Sequence, residues 1–224
     1  AWDFHDFDQL APFYSLTEFG SDSFQNVQPE ELEILGRLPR LTHLSVGSYF
    51  SLKTLSFLTK LPRLRQLGIS YSEIEDYSQL ESLYYLKTLW LDFKAGPKFS
   101  DLSFLTFSPN LKELGLAGAN LEGLTGIEQA RNLENLTAWE GPISDISLLA
   151  DLAHLKNLNL FQQRISDITP LAGLQQLETV NLAENNLSSL GTVLINWGYP
   201  TSFNLSNNPL PCSEIEAART NANL

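Results

Sequence analysis

Apolar residues recur in this chain at two fixed spacings that run in step, and this pair of rhythms restricts the fold more than any other feature. The pattern Leu-x-x-Leu-x-Leu occupies Leu155, Leu158 and Leu160, and the same frame returns 22 residues later at Leu177, Val180 and Leu182. Between the two frames lie Ile165, Ile168, Leu171 and Leu174, each three residues after the last. An α-helix, with about 3.6 residues per turn, would smear such a stripe around its surface, whereas a 3₁₀ run with about three per turn keeps it on one face. Each unit is therefore expected to hold a short strand, a turn and a tight descending segment whose apolar side points the same way as the strand leucines. That is one coil of a solenoid.

The frame extends in both directions, at Leu41/Leu44/Val46, Leu64/Leu67/Ile69, Leu86/Leu89/Leu91, Leu111/Leu114/Leu116, Leu133/Leu136/Ala138 and, more weakly, Pro200/Phe203/Leu205. The stripe recurs too, for example at Leu121, Leu124, Ile127 and Ala130, and at Ile143, Ile146, Leu149 and Leu152. Two periodicities in step over seven or eight units are the leucine-rich-repeat signature. The expected fold is an α/β solenoid: a leucine-rich-repeat horseshoe with a parallel concave sheet, a convex side of 3₁₀ and loop segments, and capped ends. The Ile-Ser-Asp-Ile units at Ile143 to Ile146 and at Ile165 to Thr169, the latter followed by Pro170-Leu171-Ala172, resemble the 22-residue repeats of bacterial internalin-like surface proteins. They are also similar to repeats of the eukaryotic phosphatase-regulator type. The resemblance covers roughly Leu38 to Leu210 and departs from the family at the turn. There the usual Asn occurs only as Asn185 and Asn208, with Ser72, Lys94, Ala119, Gly141 and Gln163 in its place.

A continuous array makes one elongated domain, stabilised by neighbour contacts. Residues 1–38 form an acidic, aromatic amino-terminal cap, residues 39–210 an array of about eight units, and residues 211–224 a short helical carboxyl-terminal cap. The first 33 residues carry eight carboxylates and no Lys or Arg, together with Trp2, Phe4, Phe7, Phe13, Tyr14, Phe19 and Phe24. A disordered acidic tail would lack that aromatic load, so the rings are expected to cover the open end of the first coil, with Phe19 and Phe24 in a degenerate strand. At the other end Ser213-x-x-Glu216 reads as a capping box that opens a helix through Ala217, Ala218 and Arg219. The units from Leu41 are 23, 22, 25, 22, 22, 22 and about 23 residues long. The long one places its extra residues within Asp92 to Lys98, as a loop at the carboxyl edge of a strand.

The formal charge of −12 and a pI near 4.6 oppose binding to nucleic acid or an anionic membrane. No apolar run approaches the length of a membrane span, and no signal-like stretch opens the chain. A start at Ala1, with no Met anywhere in the sequence, leans toward an exported product in the secreted or cell-envelope compartment, with the cytoplasm as the alternative. The single cysteine, Cys212, is expected to be buried in the terminal cap. No metal, cofactor or catalytic constellation is expected. His5, His43 and His154 are isolated, and there is no ligand spacing, phosphate loop or nucleophile elbow. Asp145 and Asp167 sit where local capping accounts for them.

Strand residues between the framework leucines point away from the core and form columns across the sheet. Trp90 stands in its column between Gly68 and Gly115, and Trp139 neighbours Phe161. With Tyr71 and Phe93 they make a large apolar patch of a kind that monomers seldom expose without use, and Asp92 and Glu140, in the neighbouring columns, join them as candidate partner-binding residues. Thr137, Asn159, Asn181 and Asn204, with Asn135 and Asn157 beside them, form a polar ladder that could bind hydroxyls or bond to itself. The expected function is therefore a non-catalytic module, a monomer, that recognises another protein of the host or envelope through its concave face. A carbohydrate-binding module on that face is one alternative. The phosphatase-regulator resemblance would imply another, an intracellular regulatory subunit.

Overall fold

The structure, a computed structural model, describes residues 14–21, 31–47, 54–72, 74, 76–93, 101–118, 120–191, 193 and 202–216. Outside these lie the rings from Trp2 to Phe13, Phe24, the insertion residues 94–98, Ile195, Trp197 and residues 217–219 of the expected cap helix; the side chains of Tyr71 and Phe93 are also outside what is described.

Nine strands form one parallel sheet in chain order: β1 Glu18–Ser21, β2 His43–Val46, β3 Gln66–Ser72, β4 Thr88–Phe93, β5 Glu113–Ala117, β6 Asn135–Trp139, β7 Asn157–Asn159, β8 Thr179–Asn181 and β9 Ser202–Asn204. The leucine frame sets the register, with Leu44, Leu67, Leu89, Leu114, Leu136, Leu158, Val180 and Phe203 paired in turn. A one-residue slip would turn this whole row out of the core, so the register is strongly specified. Phe19 pairs with Leu44, which adds the degenerate strand to the sheet within the first 38 residues.

The three-residue stripes fold as 3₁₀ segments, among them Ser56–Lys60, Ser78–Ser82, Ser103–Phe107, Ser147–Asp151 and Thr169–Gly173. Leu149 and Leu171 in these segments, and Ile146 and Ile168 just before them, are buried against the strand leucines. Each such side chain removed from water contributes about 1.5–3 kcal/mol. An aspartate starts many of these turns: Asp76, Asp101, Asp145 and Asp167 each accept the backbone N–H two residues on, at 2.8–2.9 Å. Local capping thus accounts for Asp145 and Asp167, and these hydrogen bonds hold the Asp145 carboxyl below its ordinary value.

One coil approaches its neighbour closely at Gly126. Its φ is +97°, and an added Cβ would stand 2.4 Å from the Leu102 carbonyl carbon and 2.6 Å from the Ser103 nitrogen. Where the strands hand over to the turns, an amide side chain recurs in one role, buried at Gln163 and Asn185 and half-buried at Asn208. Asn185 donates to the carbonyls of Leu160 at 2.8 Å and Leu182 at 3.0 Å and accepts the Ile165 N–H at 3.0 Å. Asn208 repeats the pattern with Leu182, Leu205 and the Leu187 N–H. Gln163, which the sequence marks as a departure, does the same work through one more methylene. It donates to the Ala138 carbonyl at 3.1 Å and accepts the Ile143 N–H at 3.0 Å.

At the amino ends of the strands Glu134 accepts from both Lys112 and Lys156, the latter at 2.9 Å. The two lysines hold its carboxyl at about 2, against an ordinary 4.5. A depressed carboxylate stabilises the fold above its unfolded value and loses that contribution as pH falls through the folded one. The melting temperatures of the wild type and Glu134→Gln should therefore differ most above about pH 4.5 and converge near pH 2. A difference independent of pH would exclude the ion triad as its source.

The carboxyl-terminal end corrects two expectations. Cys212 is exposed rather than buried, because it opens the terminal helix at 212–216 on the solvent side. Ser213 lies inside that helix and is not its cap. Glu214, from the same turn, reaches back instead, accepting from the Ser189 hydroxyl and the Leu190 N–H, both at 3.1 Å.

Candidate functional site

Every other residue of β4 and β6 faces away from the leucine core. Trp90 and Trp139 do so, at 40% and 37% exposure. Their ring centroids are 6.4 Å apart with the planes inclined at 47°, a tilted pair in the range of favourable aromatic contacts. The two are not on adjacent strands; the pairing partners of Trp90 and Trp139 on the intervening β5 are Gly115 and Ala117. Gly115 is what lets the rings meet. A Cβ there would stand 2.0 Å from Cε3 of Trp90, so the indole lies on bare backbone. Phe161, in the unit beyond Trp139, is half-buried.

Asp92 follows Trp90 on the same face of β4, aligned with Ala117 and, beyond it, Trp139. Burial pushes its carboxyl above the ordinary value, and the neighbouring Glu140 charge pushes it further. Glu140 itself departs from expectation. As the eighth residue of its unit it is read from sequence as part of the open strand face, yet β6 ends at Trp139 and Glu140 has φ +58°. Gly118, Gln162, Glu184 and Asn207 hold the same position with φ between 56° and 65°. Left-handed backbone costs a side-chain-bearing residue about 1–2 kcal/mol. A second ladder holds it in place: the N–H groups of Gly118, Glu140, Gln162 and Glu184 donate to the carbonyls of Trp139, Phe161, Ala183 and Ser206. Because its backbone is fixed this way, Glu140 leaves the chain in a fixed direction. It lines a shallow depression of about 470 Å³ bordered also by Gln162 and Arg164.

The polar ladder bonds to itself. Asn181 donates to Asn159 at 3.0 Å, Asn157 donates to Asn135, and Thr179 donates to Asn157 at 2.6 Å. The Asn159 and Asn181 oxygens also accept the N–H groups of Phe161 and Ala183. Among the described residues no group of three or more His, Cys, Asp or Glu is placed to hold a metal ion, and no helix is long and apolar enough to cross a membrane.

The fold has counterparts among solved structures. The crystal structure of internalin InlF from Listeria monocytogenes superposes with a TM-score of 0.82 over 98% of this chain, at 25% sequence identity. This chain has the leucine-rich-repeat fold. Internalin InlC2 of the same organism matches with a TM-score of 0.69 over 87% of the repeat protein and 80% of its own length, at 24% identity. The leucine-rich-repeat ectodomain of the Arabidopsis thaliana receptor kinase GASSHO1/SCHENGEN3, in complex with CASPARIAN STRIP INTEGRITY FACTOR 2, matches with a TM-score of 0.68. That likeness covers 90% of the repeat protein and 28% of the receptor chain, at 19% identity, and so concerns the fold alone. The repeat protein spans 62% of the length of the InlF structure. No family model and no curated protein matches its sequence.

Proposed function

We propose that this leucine-rich-repeat protein is a non-catalytic binding module that recognises another protein through the concave face of its sheet, with Trp90 and Trp139 as the anchors. The observation that carries this is the indole pair, two large rings in contact with each other and still more than a third exposed on the face of the sheet that turns away from the leucine core. Trp is the residue type most often found at the energetic centre of interfaces, and its burial by a partner needs little ordering because the rings are already packed together. Asp92 and Glu140 belong to the rim and Phe161 flanks the pair, and Tyr71 and Phe93 are kept as candidates from the sequence alone. The structural likeness to internalins and to a receptor ectodomain solved with a bound factor supports a protein partner. It also favours a place in the secreted or envelope compartment, and we take the module to act as a monomer.

The carbohydrate alternative asks Asn159 and Asn181 to offer free amides to sugar hydroxyls. Their mutual hydrogen bond and their bonds to the backbone leave less for a ligand, so the protein reading is preferred.

Trp139→Ala should weaken capture of the partner by about 2 kcal/mol or more, the usual scale for an aromatic anchor, while the thermal midpoint moves little. Calorimetry or surface plasmon resonance on a partner isolated from host or envelope extracts would measure the first and a melt the second. Undiminished capture would remove this face from the interface. An unfolded variant would show instead that the indole holds the array together.

A further inference from the structure

The surroundings of the indole pair are more specific than an apolar patch. Trp90 and Asp92 stand on β4, and Trp139 with Glu140 closes β6. Between them β5 offers only Gly115 and Ala117, so no long side chain of the intervening strand fills the space. Two carboxylates therefore flank two indoles. Among the described residues neither carboxylate has a side-chain hydrogen bond or an ion pair. Lys112 and Lys156 are held by Glu134 at the opposite ends of the strands, and Arg164 borders the same depression as Glu140 without an ion pair to it.

Such an arrangement costs the free protein stability. The Asp92 carboxyl is pushed up by burial and by Glu140, so ionising it at neutral pH works against the fold. A cation placed between the acids removes that repulsion, and the faces of Trp90 and Trp139 attract the same charge through their ring quadrupoles. A guanidinium suits the site better than an ammonium. It is planar, stacks on an indole and still presents a fork of N–H donors to a carboxylate. The net charge of −12 draws a basic partner toward the molecule. Resting on the protein-binding reading of this face, we propose that the site takes an arginine side chain of the partner, its guanidinium against Trp90 and Trp139 and paired with Asp92 and Glu140.

The test uses the whole chain and two small probes, Nα-acetyl-arginine amide and its neutral isostere Nα-acetyl-citrulline amide, followed by the indole N–H signals in NMR. The arginine probe should shift the signals of Trp90 and Trp139 saturably and at about tenfold lower concentration than the citrulline probe. Asp92→Asn with Glu140→Gln, which keeps the shape of both side chains, should remove that preference. Gly115→Ala, which displaces the Trp90 ring, should weaken the response even with both acids present. Equal responses to the two probes would overturn the inference, as would an arginine preference that survives the double variant. The wider reading fails separately. If Trp139→Ala abolishes partner capture while arginine shows no preference, the face binds protein by other chemistry; if capture is untouched, the face is not the interface.

Discussion

Gly126→Ala is expected to lower stability by about 2–5 kcal/mol, although it adds a single methyl group. Two penalties coincide at this position. A φ of +97° is unfavourable for any residue with a Cβ, and the new atom would overlap backbone atoms of Leu102 and Ser103, which cannot rotate away as a side-chain tip can. Relief would require the two coils to separate, and the hydrogen bond from the Leu102 N–H to the Thr125 carbonyl, 2.7 Å long, ties them at that point. Gly173→Ala is the control. An added Cβ there meets nothing within 4 Å, so it should be neutral or gain about 0.4–1 kcal/mol from the less flexible unfolded chain. Urea midpoints of the two variants should move in opposite directions or differ by the full penalty. Equal midpoints would show that the coils at Leu102 and Gly126 are not closely packed.

Leu158→Ala should destabilise by a similar amount, about 2–5 kcal/mol, for a different reason. Leu158 is fully buried and paired in register with Leu136 and Val180. Truncating it opens a void that the neighbours on both sides cannot close without breaking their own register. The loss should show as a lower denaturation midpoint with an unchanged slope. A negligible change would mean that the leucine row is not the core. Trp139→Ala removes more atoms than Leu158→Ala and yet should cost the fold less, since the indole lies on the sheet rather than beneath it.

The leucine frame and the three-residue stripe were legible in the sequence because burial depends on spacing alone, and the register of β2 to β9 follows from it directly. The position of Trp90 over Gly115 was legible as well, since a missing side chain beside a large one is visible in the columns. Other features depend on geometry that spacing does not encode. Glu140, Gln162 and Glu184 carry left-handed backbone that sequence rules reserve for Gly or Asn, and only the N–H ladder across the turns explains why it is tolerated. Gln163 looked like a departure from the repeat because residue identity was compared rather than amide chemistry. Its longer side chain delivers the same donor and acceptor to the same backbone groups. Cys212 was misplaced because a general preference for burial says nothing about which side of a short terminal helix faces water. The choice between a sugar site and a self-bonded ladder at Asn159 and Asn181 needed side-chain rotamers, which no pattern of letters contains.

The buried amides of Gln163 and Asn185 and the half-buried one of Asn208 each reach only one coil away, and among the described strands the backbone of each lies against that of the strands before and after it and no other. Genetic change can therefore act on this molecule by whole coils. Loss of one 22-residue stretch, such as 155–176, would bring Leu177 to the place of Leu155 with the frame intact, and would remove one interface from a sum of similar ones. A deletion that is not a whole unit would break the alignment of the columns. Trp90 and Trp139 stand on opposite sides of one coil, so the segment between them is where such an exchange would dismantle the contact surface while leaving the fold standing. The array can lengthen or shorten beyond that segment without moving either ring.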